Sequence, residues 1–238
     1  MTPAQPHAPS RVSAVVPARD ERATIEGVLR PLLAHSLVDE VIVVDDGSTD
    51  GTAVLARRCG ATVISLPAPS GKAEAMARGV AAARNDVIFF CDADVIGLSP
   101  EAVTTIVGPV ACGDYAMFVG IRGRRTYWAN RLLRVTPIIG GERALRRALW
   151  EQVPRAYKKN FQIEIALNFF AKTNGHRMGF TVVHGPRQVI KERKRGLLRG
   201  FAQRLGMIAD IVVVTWRIYV VLQTQMLFDR LRRSPKEA

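Results

Sequence analysis

The chain is short of cysteine, histidine and acid. Its 238 residues hold three Cys and four His, and only 21 Asp and Glu against 34 Lys and Arg. Cys59, Cys91 and Cys112 show no paired spacing, which excludes a disulfide framework and a zinc site and fits a reducing compartment. There is no Gly-x-Gly-x-x-Gly turn and no P-loop, so the usual dinucleotide and triphosphate fingerprints are missing. No zinc finger or aromatic-interleaved basic sheet is present, and nucleic acid is not an expected partner. Residues 1–11, Met1 to Arg11, lack the apolar stretch of a signal peptide and read as a disordered lead. The apolar run near the C-terminus is broken by Asp210 and Arg217, which argues against a spanning helix of about 20 apolar residues.

What is present is a globular composition, 48% hydrophobic and 23% charged, with a formal net charge of +13. A chain of this length suits one domain with an appendage. The basic excess gathers in Arg122–Arg147 and Arg187–Arg204 and calls for phosphates or an anionic membrane surface. The most informative stretch is Asp86 to Asp94. Its apolar run, Val87 to Cys91, reads as a buried strand, and two carboxylates, Asp92 and Asp94, follow at its carboxyl end. Open α/β sheets bind ligands at that end. Alternation puts Asp92 and Asp94 on one side, where two hard oxygen ligands suit Mg²⁺ or Mn²⁺ on a phosphate. The same pair also serves as a helix N-cap, and both readings stand on spacing alone.

Strand and helix alternate along the first half. Val12–Val16, Glu40–Val44, Thr62–Leu66 and Asp86–Cys91 are the expected strands. Ala23–His35 (interrupted or shortened by Pro31), Thr52–Cys59 and Ala73–Arg84 are the expected helices. The pattern predicts a mostly parallel, doubly wound α/β sheet. Three strands end in polar loops on one side: Pro17-Ala18-Arg19-Asp20-Glu21, Asp45-Asp46-Gly47-Ser48 and Asp92-Ala93-Asp94. Their convergence is the case for a nucleotide site. Asp46 or Asp20 can accept hydrogen bonds from a base or ribose, and Lys72 can reach a phosphate.

These motifs, with Thr49-Asp50-Gly51-Thr52 and Gly71-Lys72, resemble the donor half of family 2 glycosyltransferases of the GT-A fold, over roughly Val12 to Lys194. Asp20 stands where that family usually has Asn. The resemblance implies a sugar-nucleotide donor (a UDP- or GDP-hexose), with Asp46 and Asp20 near the nucleoside, Asp94 on the metal, and inversion at the anomeric carbon. It divides the chain into residues 12–195, the glycosyltransferase domain, and 196–238, a C-terminal amphipathic helical appendage. A sugar nucleotidyltransferase is disfavoured, because Pro17 to Glu21 lacks glycine.

The second half adds an expected strand at Asp114–Ile121, a helix opening at Phe161 and a last strand at Arg177–His184. Gly120-Ile121-Arg122 and Arg143 are similar to the polyprenyl-phosphate transferases, the dolichyl-phosphate mannose synthase group, although Glu142 replaces the usual Phe. Lys191, Arg193 and Lys194 match that group's last motif loosely. An acceptor phosphate needs cations rather than a strong base, and Arg122, Arg124, Arg125, Arg131 and Arg143 offer bidentate forks. A solvated basic face is the plain alternative. Glu164 reads as a base, as a partner for an arginine, or as an exposed helix residue. His184 reads as a third metal ligand or a loop histidine. Gln203, Asp210, Arg217 and Thr224 form a polar stripe on an apolar helix behind a basic segment. That suits an anionic membrane surface, or packing on the domain or on a second subunit as a homodimer.

The expectation is therefore a metal-dependent hexosyltransferase acting on polyprenyl phosphate, cytoplasmic and peripheral at the inner face of the cell membrane. The alternatives are a soluble acceptor (a phosphorylated small acid or a sugar) and a non-catalytic basic membrane or nucleic-acid binding protein on the same scaffold.

Overall fold

A computed structural model describes residues 8–122, 142–158, 162–183, 185–188, 220 and 224. The chain divides into two compact units, Met1–Val189 and Ile190–Ala238, and the architecture below belongs to the first. The predicted tail helices lie outside the described residues, apart from Val220 and Thr224.

β1 (Val12–Ala18), β2 (Val38–Asp45), β3 (Thr62–Ser65) and β4 (Val87–Phe90) pair in parallel, with β1 between β2 and β4. β1 and β4 are apolar and almost wholly buried, as expected of strands covered on both faces. The seven-stranded sheet runs β3-β2-β1-β4-β7-β6-β8, where β6 is Met117–Arg122, β7 is Glu142–Arg146 and β8 is Met178–Val183. β7 is antiparallel to both β4 and β6, while β6 and β8 are parallel. A two-stranded ribbon, β5 (Val95–Ile96) with β9 (Arg187–Gln188), stands apart. From β1 the chain builds outward through β2 and β3, then returns to place β4 on the other side. The carboxyl ends of β1 and β4 therefore flank a topological switch point.

The helices are α1 (Ile25–Leu33), α2 (Thr52–Arg58), α3 (Lys72–Ala82), α4 (Pro100–Ala111), α5 (Arg147–Gln152) and α6 (Gln162–Thr173). α1 buries Ile25, Val28, Leu29 and Leu32, a stripe at helical spacing. Pro31 does not break it. Gly27, four residues earlier, is exposed, so water can take the carbonyl that proline leaves without a donor. α4 starts at a Ser99 N-cap, whose Oγ accepts from Ala102 N at 3.3 Å, with Pro100 as first residue. β7 was not anticipated, because Glu142, Arg143 and Arg146 disguise a strand that is buried from Glu142 to Leu145.

Two contacts set the height of α3 over the sheet. A Cβ on Gly79 would lie 2.2 Å from Val15 Cγ1, so the helix backbone rests directly on β1. At its far end Arg147 donates to the carbonyls of Val80, Ala83 and Asn85 at 2.7–2.8 Å, capping the helix. Gly79→Ala is expected to cost roughly 1–3 kcal/mol through overpacking. Val15→Ala in that background should recover part of the loss in urea unfolding.

His35 is buried between α1 and β2. Its Nδ1 accepts from Leu37 N at 3.2 Å, so Nε2 donates to Thr104 Oγ1 at 2.8 Å. Burial lowers its pKa below the ordinary 6.5, against an opposing hydrogen bond at Pro100. The unfolded chain then takes up the proton first as pH falls, so this stability is complete above about pH 6.5 and lost below it. The urea midpoint is expected to drop between pH 7.5 and pH 5.5, and to drop less in His35→Gln.

Candidate active site

The loops that follow β1 and β2 are tied together by backbone donors meeting side-chain acceptors. Three consecutive N–H groups in the first loop, from Asp20, Glu21 and Arg22, donate to Ser48 Oγ, Thr52 Oγ1 and Asp50 Oδ2, each at 2.9 Å. Asp20 returns the favour: its Oδ1 accepts from Thr49 N at 2.8 Å, with Asp20 at φ 53°. Aspartate is among the few residues other than glycine that take this left-handed conformation readily. Asp50 accepts from Arg22 N and from Thr52. Burial opposes the effect, but those hydrogen bonds hold its pKa below the usual carboxylate value.

The Asp46 carboxylate accepts from Ser70 N at 2.6 Å and Gly71 N at 2.9 Å, which fixes the loop leading into α3. Asp45 is buried and accepts from Ser48 N at 3.2 Å. Pro17 is half-buried, and buried Ala18 contributes its carbonyl to Asp46 N. Arg19 is exposed. Asp20 and Asp46, expected on the nucleoside, are thus occupied in holding neighbouring loops. Each carboxylate keeps lone pairs for a ligand.

Asp92 and Asp94 do not continue β4, which ends at Phe90. They sit in the turn before β5, with buried Ala93 between them, so strand alternation does not orient them. Lys72, the first residue of α3, places Nζ 2.7 Å from Asp92 Oδ1 and 3.4 Å from Glu164 Oε1. Lys72 was expected to reach a phosphate; here it bridges two carboxylates. Burial alone would lower its pKa, but the charges of Asp92 and Glu164 outweigh that and raise it.

Glu164 lies on α6 and is 4% exposed, which removes the exposed-helix reading. Its Oε2 is 3.9 Å from Arg143 Nη2, and Arg143 Nη1 donates to the Glu164 carbonyl at 3.4 Å. Arg143 is on β7, 1% exposed and paired in register with Phe90. Arg143, expected on an acceptor phosphate, is buried here with its fork facing Glu164. Burial lowers its pKa, opposed by Glu164, Asp92 and Glu142. Sequence reasoning offered Glu164 an arginine partner but missed the row Arg143–Glu164–Lys72–Asp92, because its members come from β7, α6, α3 and the β4–β5 turn. Arg122 ends β6; its side chain, with Arg124, Arg125, Arg131 and His184, lies outside the described residues.

Glu142 also acts electrostatically on Arg143, and Asp94 follows Asp92 two residues on, in the same turn. Asp94 is 6% and Glu142 2% exposed. Asp92 with Asp94 supply the hard oxygens that Mg²⁺ or Mn²⁺ prefers. Among the described residues no group of three metal-ligating side chains occurs, so these two carboxylates are the described part of any such site. A separate cleft of about 760 Å³, lined by Arg78, Trp150, Arg155 and Lys158 among others, contains none of them.

Removing one partner of a buried ion pair leaves its mate uncompensated. Arg143→Met is expected to cost about 3–5 kcal/mol. Glu164→Gln in the same chain should restore part of it in a double-mutant cycle by urea unfolding.

The "Glycosyl transferase family 2" profile matches residues 13–180. A glucosyl-3-phosphoglycerate synthase of Mycobacterium tuberculosis is 38% identical over 139 residues, covering 55% of this chain and 41% of that one. The chain therefore spans less than half the length of this curated relative. A 4,4'-diaponeurosporenoate glycosyltransferase of Staphylococcus aureus is 39% identical over 98 residues, covering 39% of this chain and 26% of its own. A crystal structure of the M. tuberculosis glucosyl-3-phosphoglycerate synthase with Mn²⁺ and UDP-glucose matches at TM-score 0.71 and 29% identity, over 87% of this chain and 79% of the other. A further structure of that enzyme, holding Mn²⁺, UDP-glucose and phosphoglyceric acid, matches at TM-score 0.69. The sheet order, the carboxylates at the switch point and these matches agree, and the chain belongs to glycosyltransferase family 2, with the α/β GT-A fold.

Proposed function

We propose that this protein transfers a hexose, with glucose the first candidate, from a uridine diphosphate sugar to a small soluble phosphorylated acid. The observation that carries the reading is the match over 87% of the chain to an enzyme solved with Mn²⁺ and UDP-glucose. That enzyme was also solved with phosphoglyceric acid and with glycerol 3-phosphate. This favours a soluble acceptor over the polyprenyl phosphate expected from Arg122 and Arg143.

In this reading the Pro17–Glu21 and Asp45–Ser48 loops wall the nucleoside, stiffened by their mutual hydrogen bonds. Asp92 and Asp94 would hold Mg²⁺ or Mn²⁺, and a bound ion offsets charge on the departing diphosphate. Lys72, one-third exposed, is the described cation next to that position. Glu164 faces Lys72 with one oxygen and Arg143 with the other, so it orients the lysine. A lipid-linked acceptor at the cytoplasmic membrane face is the second reading, favoured by the basic segment Arg187–Arg199 ahead of the polar-striped tail.

The test is a panel of UDP- and GDP-hexoses with Mn²⁺ or Mg²⁺, offered 3-phosphoglycerate, glycerol 3-phosphate or a short polyprenyl phosphate. Transfer from UDP-glucose to phosphoglycerate without lipid is expected. Product formed only on polyprenyl phosphate would reverse the order of the two readings. Proton NMR of the product gives the anomeric configuration. Asp94→Asn should lower turnover by more than about 100-fold, beyond what is usual for outer-shell changes at metal sites.

A further inference from the structure

Lys72 is tethered at its base and divided at its tip. Its base is fixed because Asp46 grips the N–H of Gly71, the residue before it. Its side chain is one-third exposed overall, and Nζ lies between two carboxylates, with Asp92 closer at 2.7 Å and Glu164 at 3.4 Å. Asp92 is also one of the two oxygen donors that the proposed donor site offers a divalent cation. An ammonium group in contact with Asp92 Oδ1 and a metal ion on the same carboxylate repel one another. Glu164 supplies the ammonium with a second position, and Arg143 holds Glu164 in place from inside the sheet.

We infer that Lys72 is an internal counter-cation: in the donor-free protein it occupies Asp92, and a divalent cation arriving there hands it over to Glu164 and the donor's diphosphate. This rests on the donor-site reading above. The charges of Asp92 and Glu164 raise the pKa of Lys72 despite burial, which keeps it a cation throughout. Metal and diphosphate then load cooperatively. Each helps the other by the same factor, because the metal frees the lysine for the diphosphate and the diphosphate draws the lysine off Asp92.

The experiment is Mn²⁺ titration of the full chain by electron paramagnetic resonance of the free ion, with and without saturating UDP. The proteins are wild type, Lys72→Met, Lys72→Gln and Asp94→Asn, each checked for folding by thermal unfolding. Without UDP, both lysine variants are expected to bind Mn²⁺ at least about fivefold tighter than wild type, a conservative threshold set by the roughly 1 kcal/mol between two unit charges about 4 Å apart in water, which a divalent ion doubles. UDP should strengthen Mn²⁺ binding less in them than in wild type, by a similar factor. Unchanged Mn²⁺ affinity in either folded lysine variant overturns the inference. So does an equal gain with and without UDP, because a general field effect would leave their ratio untouched. Asp94→Asn should lose Mn²⁺ under both conditions. If it binds like wild type in the presence of UDP, the donor-site reading falls, and the inference with it.

Discussion

Arg143, Glu164, Lys72 and Asp92 form a row of alternating charges that runs from the interior of the sheet to the mouth of the switch point. Each member is poorly placed without its neighbour. Arg143, at 1% exposure, needs a carboxylate. Glu164 has a cation on either side, and Asp92 and Glu164 together keep Lys72 charged despite burial. Because the four come from β7, α6, α3 and the β4–β5 turn, the row can form only when the early and late parts of the fold are assembled together. The site carboxylates are thus positioned by charge balance as much as by backbone geometry.

The basic excess of the sequence takes on a different meaning in the structure. Read as composition, it called for an anionic partner. Among the described residues some basic side chains serve the fold itself: Arg147 caps α3 through three carbonyls, and Arg143 is buried against Glu164. Arginine suits such work because its fork satisfies several acceptors at once. The sequence argument for a membrane surface is strongest in the basic segment from Arg187 onward.

The donor half was legible in the sequence because its signals are local. Apolar runs end in Pro17, Asp45-Asp46 and Asp92-Ala93-Asp94, and each run became a buried strand of the expected sheet, give or take a residue or two at the ends. What remained hidden was tertiary. No spacing reveals that Asp20 and Asp46 hold neighbouring loops through backbone N–H groups 24 to 29 residues away. A central strand containing Glu142 and Arg143 defeats hydrophobic patterning, since buried charges are allowed only by partners elsewhere in the chain.

The position of β7 carries a consequence for how the protein is made. β4 is complete at Phe90, but the strand that covers its open edge begins at Glu142. About fifty residues must be synthesised in between, roughly 3–10 s at usual ribosomal rates. Through that interval the nascent chain exposes the edge of an apolar strand, with Asp92 and Asp94 beside it and their eventual neighbours in β7 and α6 not yet made. Sheet edges of this kind invite wrong pairings. Charged residues beside a sheet edge are one of the usual guards against such pairing, and the turn immediately after β4 carries two, Asp92 and Asp94.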